Sequence, residues 1–309
     1  MITVDQLSYR YGARQALAGV GFSIQRSEIF GLLGPNGSGK TTLLRILATL
    51  MLPQGGRAEI EGFDLAREVQ AVRRRIGVVF QSPSLDIKLT VAENLRHQAH
   101  LYGLSGLKRR ERCAAMLERL GIQDRAGERV EKLSGGLKRR VELAKGLLHK
   151  PGVLLLDEPS TGLDPGARLD LWRYLKKLRE QESVTILVAT HLMEEAEQCD
   201  RLAVMREGNL VALGSPEALK KEIGGDVLVI QGEALPSLAQ EVEARLQVKP
   251  KIVGGTLQIE HKEGHRFIAQ LVEAFPGKIH SVTFRKPTLE DVFIHHTGHR
   301  FWAEAGTPA

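Results

Sequence analysis

Gly34-Pro35-Asn36-Gly37-Ser38-Gly39-Lys40-Thr41 decides the fold. The stretch fits G-x-x-x-x-G-K-[ST], follows the apolar run Glu28–Leu33 and opens the helical run Thr42–Leu50. Glycines let the backbone curl so that successive N–H groups face inward, and the following helix offers its N-terminus to an anion. The string is therefore a polyphosphate cradle, Gly34 through Thr42. Lys40 is placed to reach the β- and γ-phosphates, and the Thr41 hydroxyl to meet Mg²⁺. A glycine-rich strand-to-helix turn with no ligand is the plain alternative. Every fixed position and both flanks weigh against it.

A second apolar run, Val153–Leu156, ends in Asp157-Glu158. Neighbouring side chains on a strand point opposite ways, so the two carboxylates take different roles. Asp157 faces the metal, and Glu158 faces the γ-phosphate, where an attacking water would stand. Adjacent acids at a strand end are more often a solvated turn, but a phosphate cradle needs both roles.

Outward from these two motifs, strands and helices alternate. Apolar runs place strands at 2–7, 21–25, 28–33, 76–80, 153–157, 184–189 and 202–206. The continuous ones suit a parallel sheet covered on both faces, and the early ones an antiparallel attachment. Glu207-Gly208-Asn209 reads as a hairpin turn. Residues of about 90–149 form a helical insertion: Thr90 and Glu93 make a capping box, a second helix runs from Leu107 to Leu120 and stops at Gly121, and a third starts near Ser134. Ser215-Pro216-Glu217 starts another helix, and Gly224-Gly225 is the expected boundary between domains at 1–224 and 225–309. Beyond it, strand 226–231, helix 236–246, strands 247–253 and 256–260, helix 263–275 and strand 279–285 give the βαββαβ order of a ferredoxin-like sandwich. Residues 303–309 are expected to fray.

Ser134-Gly135-Gly136, within Leu133–Arg140, adds a second anion site: a serine N-cap, two glycines exposing N–H groups and a basic helix. Alone, it is as easily an ordinary helix start. Placed between the phosphate loop and the acidic strand, it resembles the signature motif of ABC proteins. Tyr11 stands where that family keeps an adenine-stacking aromatic, with Tyr9 a rival. Gln81 matches the Q-loop glutamine, Ser160-Thr161-Gly162-Leu163-Asp164 the D-loop, and His191 the switch histidine. The resemblance covers about residues 1–222. It implies an α/β P-loop ATPase that works as a head-to-tail dimer, with ATP on one copy's cradle covered by Ser134, Gly135 and Gly136 of the other. By the same resemblance, Glu158 polarises water, His191 and Gln81 position water and γ-phosphate, and Thr41, Asp157 and Gln81 attend Mg²⁺. Asp164 before Pro165 also reads as a helix N-cap.

Leu137 replaces the signature's usual glutamine. With Lys138-Arg139-Arg140 it resembles exporter ATPases of the daunorubicin-resistance type, as does the tail Pro287–Phe293 with Thr297-Gly298. The tail also reads as an amphipathic helix capped by Thr288.

Composition frames these readings. The chain has 309 residues, 42% hydrophobic and 26% charged, enough for a core without disulfides. Two cysteines, Cys113 and Cys199, form no framework, and MITVDQLSYR lacks a secretory stretch, so a cytoplasmic place is expected. No uncharged apolar run is long enough to span a bilayer. A membrane function therefore requires a separate multi-span permease, with this chain peripheral on the cytoplasmic face. In the insertion after Gln81, Leu85, Ile87 and Leu89 are candidate contacts for it. The charge of +6 collects in triplets at Arg73–Arg75, Lys108–Arg110 and Lys138–Arg140. No aromatics interleave them, so they read as solvated helix faces and nucleic acid is not expected. The competing class, a soluble ABC ATPase acting on nucleic acid or ribosomes, usually carries two cassettes or a long coiled coil, and neither is present.

Overall fold

A computed structural model describes residues 1–299 and 301; the expected fraying of 303–309 lies outside the described residues. The chain forms two compact units that divide between Leu210 and Val211.

The first unit begins with two long strands, β1 (Ile2–Tyr11) and β2 (Arg14–Ile24), followed by β3 (Ile29–Leu33), α1 (Lys40–Leu47), β4 (Gly55–Ile60), β5 (Phe63–Asp64), α2 (Val69–Arg73) and β6 (Ile76–Val79). Next come the helices α3 (Val91–Leu101), α4 (Gly106–Arg119) and α5 (Gly135–Leu147). The unit continues with β7 (Val153–Asp157), α6 (Pro165–Glu182), β8 (Thr185–Thr190), α7 (Met193–Ala196) and β9 (Arg201–Arg206). Strands β2-β1-β4-β5 make an antiparallel sheet, and β9-β3-β8-β7-β6 run parallel.

Two cores lie on opposite faces of the parallel sheet, and the alternation of side chains along a strand deals residues between them. Leu154, Leu156, Ile186 and Val188 join the core beneath α3–α6. Val153, Leu155, Leu187 and Ala189 join the one shared with β1, β2 and α1. This is why the strands read as continuous apolar runs.

Three local expectations hold in detail. Thr90 and Glu93 form the capping box, Gly121 follows the end of α4 at φ +61°, and Ser134 caps α5 by accepting the Leu137 N–H. The helical insertion packs tightly at its end. A Cβ on Gly77 of β6 would stand 2.3 Å from the Gly146 carbonyl of α5, so glycine is what lets helix and strand touch.

Other readings change. The first two strands extend to Tyr11 and back to Arg14, because their outer halves are polar and carry no apolar signal. The same holds for β4, where only Ala58 and Ile60 are fully buried. Arg139 is not on a solvated face. Only 8% of its surface is exposed, because β6 and the end of β7 crowd the inner side of α5.

The second unit takes in most of β10 (Asn209–Gly214), then α8 (Pro216–Glu222), β11 (Asp226–Gly232), α9 (Leu235–Leu246), β12 (Lys251–Val253), β13 (Thr256–His261), α10 (Gly264–Ala274), β14 (Ile279–Arg285) and α11 (Leu289–Thr297). Its start lies upstream of the Gly224–Gly225 boundary because α8 packs on α11, where Glu222 lies 3.2 Å from His296. The sheet order β12-β13-β11-β14, antiparallel throughout, is that of a ferredoxin-like sandwich. Thr288 caps α11 in a box with Asp291, as the sequence suggested.

Candidate active site

Four neighbouring parallel strands, β3-β8-β7-β6, deliver the site at their carboxyl ends. The cradle leaves β3 at Gly34, whose N–H donates to the Thr190 carbonyl at 3.3 Å. Gly37 and Gly39 take φ of +81° and +105°, which side chains rarely adopt. A Cβ on Gly39 would also stand 2.5 Å from the Ala16 carbonyl, so both space and conformation demand glycine.

Beside this turn lies a groove of about 370 Å³ lined by Tyr11, Asn36, Gly37, Gly39, Lys40, Thr41, Thr42, Gln81 and Glu158. Tyr11 is 45% exposed in the groove wall, whereas Tyr9 packs on the core. The choice between them falls to Tyr11. Lys40 is buried and its Nζ donates to the carbonyls of Gly34 at 2.6 Å and Pro35 at 3.0 Å. Burial brings its ammonium down to about 8, against the opposing pull of Glu158 and Asp157. Ser38 Oγ is buried and, among the described residues, has no hydrogen-bond partner. A buried hydroxyl facing an anion cradle fits a phosphate oxygen.

Thr41 Oγ1 donates to Asp157 Oδ1 at 3.3 Å. Burial raises the Asp157 carboxyl, and the Thr41 bond opposes that rise. These hard oxygen donors suit Mg²⁺. No cluster of three or more His, Cys, Asp or Glu exists among the described residues. That scarcity also fits, because Mg²⁺ is usually completed by phosphates and water.

Glu158 sits at the turn after β7, its N–H donating to the Ala189 carbonyl at 2.9 Å. Its Oε2 accepts from Gln81 Nε2 at 2.9 Å and Thr161 Oγ1 at 3.1 Å. Its Oε1 lies 2.9 Å from His191 Nδ1. Residues from three strand ends thus converge on one carboxylate, which can take a water when one of these bonds opens.

Ser134, Gly135, Gly136 and Asp164 are not in this groove. Asp164 caps α6 by accepting the Ala167 N–H at 2.9 Å. A Cβ on Gly135 or Gly136 would meet nothing nearer than 3.7 Å or 3.5 Å, so packing within the chain does not require either glycine.

Three contributors escaped the sequence reading. Arg14 and Arg45 also line the groove, and Arg14 Nη2 donates to the Gly37 carbonyl at 3.3 Å. Thr161 was seen only as part of the D-loop string. Arg45 follows Thr41 by one helical turn, a spacing that could have flagged it; Arg14, on a separate hairpin, gave no such signal.

Comparison with known proteins accords with this geometry. The ABC transporter family model matches residues 17–161, and the model for the C-terminal domain of DrrA1-3-like ATP-binding proteins matches residues 214–297. The chain is 37% identical over 308 residues to the daunorubicin resistance ATP-binding protein DrrA3 of Streptomyces coeruleorubidus, covering 96% of each. It is 41% identical to the Nod factor export ATP-binding protein I of Burkholderia orbicola, covering 94% of each. Among solved structures, it resembles the ATP-binding cassette MJ0796 as a post-hydrolysis dimer bound to ADP and Pi. That match has a TM-score of 0.64 at 29% identity, over 70% of this chain and 98% of the other. CbiO1 from Clostridium perfringens matches with a TM-score of 0.65 at 30% identity, over 80% and 95%. With its cradle, acidic strand and signature in family order, the chain belongs to the ABC transporter family, as an ATP-binding, ATP-hydrolysing subunit.

Proposed function

We propose that this chain is the motor of an exporter, acting on a separate multi-span permease from the cytoplasmic face of the membrane. Two copies close head to tail on two molecules of Mg·ATP. Each cradle, from Gly34 to Thr42, holds the phosphates, with Lys40 neutralising the β- and γ-groups and Tyr11 against the adenine. Ser134, Gly135 and Gly136 of the partner cover the γ-phosphate, and Asp164 sits near the joint. Glu158 accepts the proton of the attacking water while Gln81 and His191 hold its carboxylate and the γ-phosphate in line. Thr41 and Asp157, with Gln81, would hold Mg²⁺, which when bound supplies charge neutralisation between the phosphates.

One observation carries the dimer: the signature glycines stand outside the groove, exposed or half-exposed, with room that their own chain leaves unfilled. The relatives named for daunorubicin resistance and Nod factor export support the exporter reading. No helix among the described residues is long and apolar enough to cross a membrane, so the path for cargo must come from another chain. Of the three apolar residues after Gln81, Leu85 is core, whereas Ile87 is 50% exposed and is the one offered to a permease.

Glu158→Gln tests the assignment. Turnover should fall by about 10²–10⁴-fold with ATP binding retained, and the variant should elute as a dimer only with Mg·ATP. Hydrolysis near the wild-type rate removes Glu158 as the base. A variant that stays monomeric with Mg·ATP removes the head-to-tail reading.

A further inference from the structure

Glu158 is one of few non-glycine residues of the first unit with a positive φ, at +46°. Such a conformation persists at a site only where the surroundings impose it. Its own side-chain bonds to Gln81, Thr161 and His191 orient the carboxylate and leave the backbone to be held by something else.

Arg139 does the holding. Its guanidinium has five N–H donors, and all five are used. Nε donates to the Pro159 carbonyl at 2.6 Å. Nη2 donates to the carbonyls of Glu158 at 2.9 Å and Asp157 at 3.3 Å. Nη1 donates to the Phe80 carbonyl at 2.9 Å and to Glu142 Oε2 at 3.0 Å. Three consecutive carbonyls, spanning the left-handed residue, therefore point at one buried cation. The fourth carbonyl belongs to the residue before Gln81.

The fifth acceptor anchors the arrangement to its own helix. Glu142 accepts the Ser84 N–H through its other oxygen at 2.6 Å, and Lys145 Nζ donates to the Ser84 carbonyl at 2.6 Å. Arg139, Glu142 and Lys145 fall on the inner face of α5 at a helical spacing of three. The helix that begins at Ser134 is thereby bound to both ends of the segment Phe80–Ser84 and to the turn at Glu158.

We infer that Arg139 is a positioning residue for hydrolysis: it locks the backbone of Glu158 and ties it to the Gln81 loop and the signature helix, so that the carboxylate is presented when those parts are in register. This rests on Glu158 being the general base. A lysine has three donors and no fork, so it cannot span these acceptors.

Arg139→Lys is the test, in the full-length protein with steady-state and single-turnover hydrolysis. kcat should fall by about 10–100-fold, the loss typical of a displaced reacting group, with KM for ATP within about threefold. Combined with Glu158→Gln, it should lower the residual single-turnover rate by less than about threefold, because a residue acting through Glu158 has nothing left to position. Wild-type kcat in Arg139→Lys overturns the inference. So does a full multiplicative loss in the double variant. If Arg139→Lys does not fold, Glu142→Gln, which swaps one of two acceptors for a donor, should show a smaller loss confined to kcat; unchanged kcat there overturns it equally. Normal turnover in Glu158→Gln with slow Arg139→Lys would instead refute the base assignment.

Discussion

Lys40 should make nucleotide affinity fall with pH while the empty protein becomes more stable. In the empty cradle, burial lowers its ammonium to about 8 from the model value of 10.5. The unfolded chain therefore binds more protons than the folded one between those values, and unfolding free energy rises with pH across that window. The shift corresponds to about 3 kcal/mol of strain carried below pH 8 and relieved toward pH 10.5. A polyphosphate beside Nζ reverses the preference, so binding requires the charged form and draws a proton from solvent. With the empty cradle half protonated near pH 8, uptake per nucleotide should be about 0.1 at pH 7, about 0.5 at pH 8 and about 0.9 at pH 9. Kd should weaken about tenfold between pH 7 and pH 9. Titration calorimetry with a non-hydrolysable ATP analogue, in buffers of differing ionisation enthalpy, reads the uptake directly. Lys40→Arg, whose guanidinium does not titrate, subtracts protons taken up elsewhere. Uptake at pH 8 and pH 9 that Lys40→Arg retains in full would refute the reasoning.

Tyr11→Ala should raise KM for ATP by about 5–30-fold, the value of one lost stacking contact, with kcat unchanged in the same assay; an unaltered KM sinks the stacking role. Asp164→Ala should cost about 1 kcal/mol through its lost helix cap, lowering Tm by about 2–4 °C in a unit of this size. A calorimetric Tm equal to wild type would show that the cap carries no weight.

What was legible in the sequence was local. The cradle, the acidic pair and the serine-capped helix each occupy one strand–turn–helix junction, where glycines, caps and apolar runs are contiguous. The ferredoxin-like order followed for the same reason, since each of its elements is a short apolar period bounded by turn residues. What was hidden depends on partners distant in the chain. Arg139 looks like any basic helix residue until β6 and the end of β7 are laid against it. Its burial is set by acceptors at Phe80 and Asp157–Pro159, and nothing within α5 announces them. The unit boundary moved because α8 belongs with α11, and the pair Glu222–His296 joins residues 74 apart. Strands β4 and β5 went unread because a mostly exposed sheet edge has too few buried positions to make a period.

The sheet explains why hydrolysis can respond to a distant helix. Gly34, His191, Glu158 and Gln81 all follow the carboxyl ends of adjacent parallel strands, with Leu33 paired to Thr190, Asp157 to Ala189 and Val79 to Leu156. A shared register of this kind fixes their spacing through backbone bonds, so no single side chain has to hold it. Ser134 has no place in that row. It stands at the start of a helix on one face, and its link to the row runs through the inner side chains of α5. A rigid row with one cationic tether gives two kinds of sensitivity. Changes within the row should disturb nucleotide binding and chemistry together. Changes at the tether should disturb chemistry alone, because the cradle is held by β3 and α1 and makes none of the bonds that Arg139 supplies.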